Sequence, residues 1–515
     1  MTKLNISAAI GLQAFLVLTM SACGGGGGGG GGSTPPPPPP PPTLDEQVRV
    51  AINANSLTGD PTQGRDLPSI SDPLAQLGKK LFFSKSLSGD MDTACASCHH
   101  PVLGGGDGLS LPVGVGAVDP DVVGPGRTRS DGLPNVGRHS QSVFNAGLYD
   151  AGLFWDSRVE SIGKEANRNG AGSGIRTPDT ALNVEDPSAG PNLVAAQARF
   201  PVTINSEMRG SLMPGASDQE VREHLAARIG DYGSGQGELT NNSWLAEFQT
   251  AFMSSETAEN LITFDNIALA IGEYQRSMVF IETPWKAYVE GNTAAISERA
   301  KEGALLFYGS TANADLECVQ CHSGDFFTDE DHHTIGFPQI GPGKGDDVDG
   351  DGDFGREQQT ADTAHRYRYR TPTLLNLAVT APYTHTGAHS GLAETVAHYI
   401  VPNDTNSDFF AAGGACGLSQ FSGNAGCPNL FPNAQVHTDL ALSKALQERT
   451  SDPDHTFPDL SFSPLADGPR IIAFLDTLTD PCVLDRACLA PWIPDASEAP
   501  DDNQLNATDV SGNPL

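Results

Sequence analysis

Hydrophobic residues recur at helical spacing in two stretches that echo each other. Leu74, Leu77 and Leu81 follow Asp72-Pro73 and run into Phe82-Phe83, which predicts a capped amphipathic helix. Ile296 to Tyr308, with Leu305-Leu306-Phe307 near its end, predicts a second. A third stretch, Phe264 to Ile281, predicts a long buried helix with Asp265 or Asn266 near its cap, and Pro284 marks a boundary after it. Few runs alternate with a strand period, and the connections are long and rich in Gly and Pro. The pattern predicts an all-α chain with large loops.

The echo extends beyond the helices. From Leu81 to Cys95 is 14 residues, and from Leu305 to Cys318 is 13. Arg138 to Ser142-Val143-Phe144-Asn145 in the first half matches Arg370 to Thr373-Leu374-Leu375-Asn376 in the second. A duplicated module follows, giving two tandem domains. Residues 163–196 and 403–467 have no counterpart in the other half, and connections of that length are usually functional or flexible.

Upstream of the modules the composition changes. Lys3, the apolar stretch Ala8 to Met20 and Ser21-Ala22-Cys23 read as an export signal, and Cys23 before glycine resembles a lipoprotein processing site. Nine glycines (Gly24 to Gly32) and eight prolines (Pro35 to Pro42) follow, a run that buries no core and reads as a tether. Residues 1–23 are thus a lipoprotein-type signal peptide and 24–43 a tether that holds the folded part off a membrane. Residues 44–282 and 283–495 form the two domains, and 496–515 a tail.

The chain carries 30 basic and 63 acidic side chains, a net charge of -33. That balance excludes nucleic acid and anionic lipid surfaces as partners, and suits a basic protein partner or plain solubility.

Chemistry enters with two copies of one motif, Cys95-Ala96-Ser97-Cys98-His99 and Cys318-Val319-Gln320-Cys321-His322. The spacing lets two thiols form thioethers with one haem while the next His lies under the iron. A zinc ribbon would want closer pairs, and a redox dithiol a βαβ context. Two covalently bound haem c groups are therefore expected. Sequence proximity pairs Cys416 with Cys427 and Cys482 with Cys488, the two other connectivities remaining open. Disulfides, haem attachment and the export signal all point to the periplasm.

From about Leu77 to Leu478 the chain resembles the bacterial diheme cytochrome c peroxidase family, which includes the MauG-type enzymes. The resemblance rests on Leu77-Gly78-Lys79-Lys80-Leu81-Phe82-Phe83, the two haem motifs, Phe154-Trp155-Asp156-Ser157-Arg158 and Glu207-Met208. It continues through Phe264-Asp265-Asn266, Arg370-Thr371-Pro372 and Thr380-Ala381-Pro382-Tyr383-Thr384-His385-Thr386-Gly387. It implies two cytochrome c-like domains, a first haem that reacts with peroxide and a second that stores an electron. Splitting peroxide takes two electrons and one haem readily yields one, so a second store is needed. In that register Trp155 is the relay between haems, Glu207 the acid–base group and Gln197 a distal-pocket partner. His99 and His322 are the proximal iron ligands.

Two departures bear on function. Conventional members place a histidine after a Val-Gly pair to cap the first iron; here Val113-Gly114 precedes Val115, which has no donor atom. The first haem is thus expected to be five-coordinate and open. Conventional members also use methionine as the far ligand of the second haem, fourteen residues beyond the position of His385, where this chain has Tyr399. MauG-type enzymes share that tyrosine, and a hard phenolate oxygen favours the more oxidised states of iron. His398 is the rival ligand.

The family also binds calcium through an asparagine and two backbone carbonyls. Thr380 and Pro382 match the carbonyl donors, but His139 stands at the asparagine position and is a poor calcium ligand. Separately, Asp347-x-Asp349-x-Asp351-Gly352 reproduces the start of a calcium loop, with Gln358 where the bidentate glutamate belongs.

The function expected is a peroxide-using diheme oxidoreductase of MauG-like kind that oxidises a protein or organic substrate. One alternative is a conventional peroxidase fed by a small periplasmic cytochrome c or cupredoxin. Another is a tethered electron-transfer cytochrome without catalysis. Membrane contact is expected only through a lipid anchor.

Overall fold

The computed structural model describes residues 40–309, 318–460 and 463–515. The export signal, Cys23 and most of the tether lie outside the described residues. Among those described, no helix is long and apolar enough to cross a membrane.

The duplication is visible as two helix pairs. Pro73–Phe82 crosses Phe264–Arg276, and Glu298–Tyr308 crosses Gly468–Leu475. A glycine at the same position of each first helix makes the crossing possible. A Cβ on Gly78 would stand 1.9 Å from the Ala270 carbonyl oxygen, and one on Gly303 2.0 Å from that of Arg470. Backbone meets backbone there, so no side chain fits.

The asparagines of the second echo are equivalent too. Asn145 and Asn376 both adopt left-handed backbone, with φ of 59° and 67°. Each backbone N–H donates to the end of the second helical region, Asn145 to Met278 and Asn376 to Leu478. Each side-chain carbonyl then accepts from a backbone N–H two residues further on, Phe280 for Asn145 and Asp480 for Asn376. Asparagine suits this position because it tolerates the left-handed region and bonds backbone through its own amide.

Asp265 and Asn266 fall in the first turn of Phe264–Arg276, and Thr263 is the cap itself, its hydroxyl accepting from the Asn266 N–H. The helix stops at Arg276, short of Ile281.

The chain is helix-rich but not all-α. Strands Gly152–Leu153, Val159–Ser161 and Ile175–Arg176 form an antiparallel sheet, and His332–Thr334 pairs antiparallel with Arg368–Arg370. At two or three residues each, these strands are too short to print an alternating pattern. They matter because the turn between the first two holds Phe154 and Trp155, and the Arg370 N–H donates to the Trp155 carbonyl, tying one sheet to the other.

Two large apolar cores follow the two helix pairs, with the ends of the chain exchanged between them. Val48, Ala51 and Ile52 of helix Leu44–Ala54 pack with Phe307, Phe327 and Phe474 of the second core. Val483, Leu489 and Leu505 pack with Phe82, Trp244 and Tyr274 of the first. Residues 403–467 are largely helical, including Pro402–Ala411 and Ala434–Ser451. Disulfides join Cys416 to Cys427 and Cys482 to Cys488, with Cα atoms 5.7 and 5.3 Å apart.

Candidate active site

One cavity of about 390 Å³ is lined by both Cys-x-x-Cys-His motifs. Gln197, Glu207, Trp155 and Tyr399 line it as well, and so do Thr380 and Pro382. Residues spread over three hundred positions therefore share one wall.

The two histidines are prepared alike. His99 Nδ1 lies 3.2 Å from the Gly105 carbonyl oxygen, and His322 Nδ1 3.0 Å from that of Phe327. A carbonyl only accepts, so Nδ1 carries the proton and Nε2 keeps its lone pair. Burial pushes the pKa of both rings down, which keeps them neutral. Cys95, Cys98, Cys318 and Cys321 have no disulfide partner. Burial pushes the thiols of Cys95 and Cys318 up to about 12, so neither is a ready thiolate for redox exchange. Thiols on the wall of one cavity, each pair followed by a histidine whose Nε2 keeps its lone pair, fit two covalently attached haems.

Comparison with known proteins agrees. The sequence profile of the di-haem cytochrome c peroxidase family matches residues 72–294. The chain is 30% identical over 324 residues to the methylamine utilization protein MauG of Methylorubrum extorquens, 63% of this chain and 67% of that one. It is 28% identical over 328 residues to cytochrome c551 peroxidase of Pseudomonas aeruginosa, 64% of this chain and 72% of that one. Among solved structures, a MauG-like protein associated with microbial copper homeostasis gives a TM-score of 0.49 at 20% identity, over 83% of this chain and 96% of that one. This chain belongs to the di-haem cytochrome c peroxidase family. It is a diheme peroxidase-type oxidoreductase, and membership implies two haem c cofactors.

In this family member Glu207 sits in a π-helical turn, Asn205–Arg209, with its side chain one-fifth exposed. The Arg158 guanidinium lies 4.0 Å from its carboxylate and 3.8 Å above the Phe154 ring. Behind the turn lies the Val-Gly pair: a Cβ on Gly114 would stand 2.1 Å from the Ser206 carbonyl oxygen. Glycine at 114 therefore lets the turn approach, while Val115 stays off the cavity wall. Gln197 closes the short helix Leu193–Gln197.

Trp155 is fixed by its Nε1–H, which donates to the His139 carbonyl at 3.0 Å. Its ring stands edge-on to His385, 6.4 Å away, and His385 stacks on Tyr369 at 3.8 Å. His139 directs Nδ1 at the Leu109 carbonyl, 2.8 Å away, so its ring is committed to the backbone.

On the second side, Tyr399 comes from helix Leu392–Ile400, and burial pushes its phenol well up. His398 is turned away. Its Nδ1 meets the Thr405 hydroxyl at 2.9 Å and its Nε2 the Ile335 carbonyl at 3.1 Å, leaving no free nitrogen.

Lys344 also lines the cavity, and nothing in the local Gly-rich sequence points to it. Burial, reinforced by Arg158 and Arg138, pushes its ammonium from 10.5 down to about 8. Between those values the unfolded chain binds the extra proton, so this group makes stability rise with pH from about 8 to 10.5. Lys344→Met is expected to flatten that rise relative to wild type. Denaturation midpoints of the haem-loaded proteins at pH 7 and near pH 10 check it.

Proposed function

We propose that the protein is a periplasmic, MauG-like enzyme in which hydrogen peroxide reacts at an open first haem and a second haem stores an oxidising equivalent for a protein or organic substrate. His99 and His322 would hold the irons through Nε2, Cys95, Cys98, Cys318 and Cys321 would carry the thioethers, and Tyr399 would be the second protein ligand of the second haem. When bound, the haems supply the redox chemistry.

The residues do the rest. Glu207 takes the proton from the inner oxygen of peroxide and returns it to the departing outer oxygen. Arg158 steadies that carboxylate, and Gln197 offers the approaching peroxide a hydrogen bond. Trp155, locked by its bond to the His139 carbonyl, serves as the relay between the two sites.

The observation that carries this reading is the division of labour at residues 398 and 399. Both ring nitrogens of His398 are spent on protein partners, which leaves the Tyr399 phenol to face the cavity. Electron paramagnetic resonance of the resting ferric protein tests it. One high-spin and one low-spin centre are expected, the low-spin one altered by Tyr399→Phe. Two low-spin centres would overturn the open first haem.

A conventional cytochrome c peroxidase is the second reading. It is favoured by the likeness to the Pseudomonas enzyme and by the charge of -33, which suits a basic electron donor. Fast steady turnover of peroxide with reduced cytochrome c, and no modified substrate, would select it.

A further inference from the structure

The acidic turn that begins as a calcium loop does not close as one. Gln358, at the position of the bidentate glutamate, donates to Asp346 at 3.0 Å and accepts from Arg138 at 3.2 Å, turned into the protein. The space over the turn is taken instead by His437 from helix Ala434–Ser451.

 

His437 is 7% exposed, and its Nε2 points at two carboxylates at once: Asp347 Oδ2 at 2.9 Å and Asp351 Oδ1 at 3.2 Å. The three ligand atoms all lie within 4.8 Å of one another. The Asp347 and Asp351 side chains are only 17% and 20% exposed, and among the described residues no lysine or arginine pairs with either. Asp347 Oδ1 is occupied by the N–H groups of Asp349 and Gly350, which leaves Oδ2 directed at the cluster.

Charge and geometry together select an occupant. A neutral imidazole has one Nε2 proton at most and serves one carboxylate; the Asn433 amide also donates to Asp351 Oδ2 at 3.0 Å, but neither donor neutralises the second negative charge. Protonating the ring leaves one negative charge over and buries an Nδ1–H, which has no partner. A metal at Nε2 leaves the same Nδ1–H unpaired, so charge balance decides: two carboxylates and one neutral histidine match a dication. With metal–ligand bonds of about 2.1 Å, neighbouring ligand atoms stand about 3.0 Å apart in an octahedron and about 3.4 Å apart in a tetrahedron. The separations of 2.9 and 3.2 Å fall on that scale.

We propose that Asp347, Asp351 and His437 bind a divalent first-row transition ion, with zinc as the probe. A nitrogen donor selects against calcium and magnesium, which take oxygen. The ion would pin the turn to helix Ala434–Ser451. The base of the turn carries Lys344 to the cavity.

The test uses the haem-loaded protein, stripped with a chelator and dialysed against zinc. Elemental analysis is expected to find one zinc for every two haem irons, and millimolar calcium should not displace it. His437→Gln and Asp351→Asn are expected to weaken zinc binding by at least about tenfold. Zinc should raise the thermal midpoint of wild type and leave those of the variants unchanged. An unaltered Soret band and far-ultraviolet circular dichroism show that the variants are folded. Zinc held equally by His437→Gln, or displaced by equimolar calcium, would overturn the proposal. So would wild type that retains none.

Discussion

Glu207→Gln is expected to slow the reaction with hydrogen peroxide by about 10²–10⁴-fold, the usual worth of a positioned proton-transfer group. The substitution keeps size and hydrogen-bonding shape and removes only the ability to take and return a proton. Haem content and the resting spectrum should therefore stay as in wild type. Position matters as much as chemistry here. The π-helical turn brings Glu207 to the cavity wall, and Gly114 allows that turn to sit where it does. Gly114→Ala should slow the same step with the carboxylate intact. Stopped-flow mixing of the ferric protein with peroxide checks both. A Glu207→Gln rate within threefold of wild type would remove Glu207 from the chemistry.

The second large effect is on stability. Arg138 donates to Asp353 through Nε at 2.7 Å and Nη2 at 2.8 Å, and its Nη1 lies 2.8 Å from Asp156. Asp156 is fully buried. Burial pushes its carboxyl up, yet Arg138 and Arg158 outweigh that and hold it well below the usual carboxylate range. Asp353 is held down in the same way by Arg138. Arg138→Leu removes the shared counter-charge and strands two buried carboxylates, at a cost of about 3–5 kcal/mol. Guanidinium denaturation of the haem-loaded protein measures it. Both folded carboxyls titrate below their ordinary 3.8, so the wild-type advantage is complete above that pH. It is lost as pH falls through the folded values, and the gap between wild type and variant should then close. A loss under 1 kcal/mol at neutral pH would show that water or another cation compensates.

These ion pairs mark the limit of what the chain reveals residue by residue. The helices around Leu77 and Leu305 were legible because their apolar spacing is local, and their equivalence was legible because it is repeated. The strands were not. Two or three residues carry no period, and their pairing is set by the Trp155 turn and the return of Arg370 alongside it. The choice between His398 and Tyr399 was left open by adjacency. What adjacency does not show is that the fold supplies Thr405 and the Ile335 carbonyl to the histidine, turning its ring away.

Lys344 was silent in the sequence. A single lysine in a Gly-rich loop has no pattern, and its depressed pKa arises from burial, reinforced by arginines brought in from residues 158 and 138. Likewise, helix Leu44–Ala54 carries an ordinary apolar face, and nothing in that face says which core receives it.

Haem attachment and the duplicated helices are written in short stretches of chain, because thioether spacing and helical period are local constraints; sequence proximity favours the disulfide partners, and the fold selects them among three connectivities. The shared cavity, the Arg138 carboxylate pair and the exchange of chain ends belong to the folded molecule alone. Arg138 and Asp353 are separated by 215 residues, and electrostatic and packing partners that distant meet only once the intervening chain has turned back.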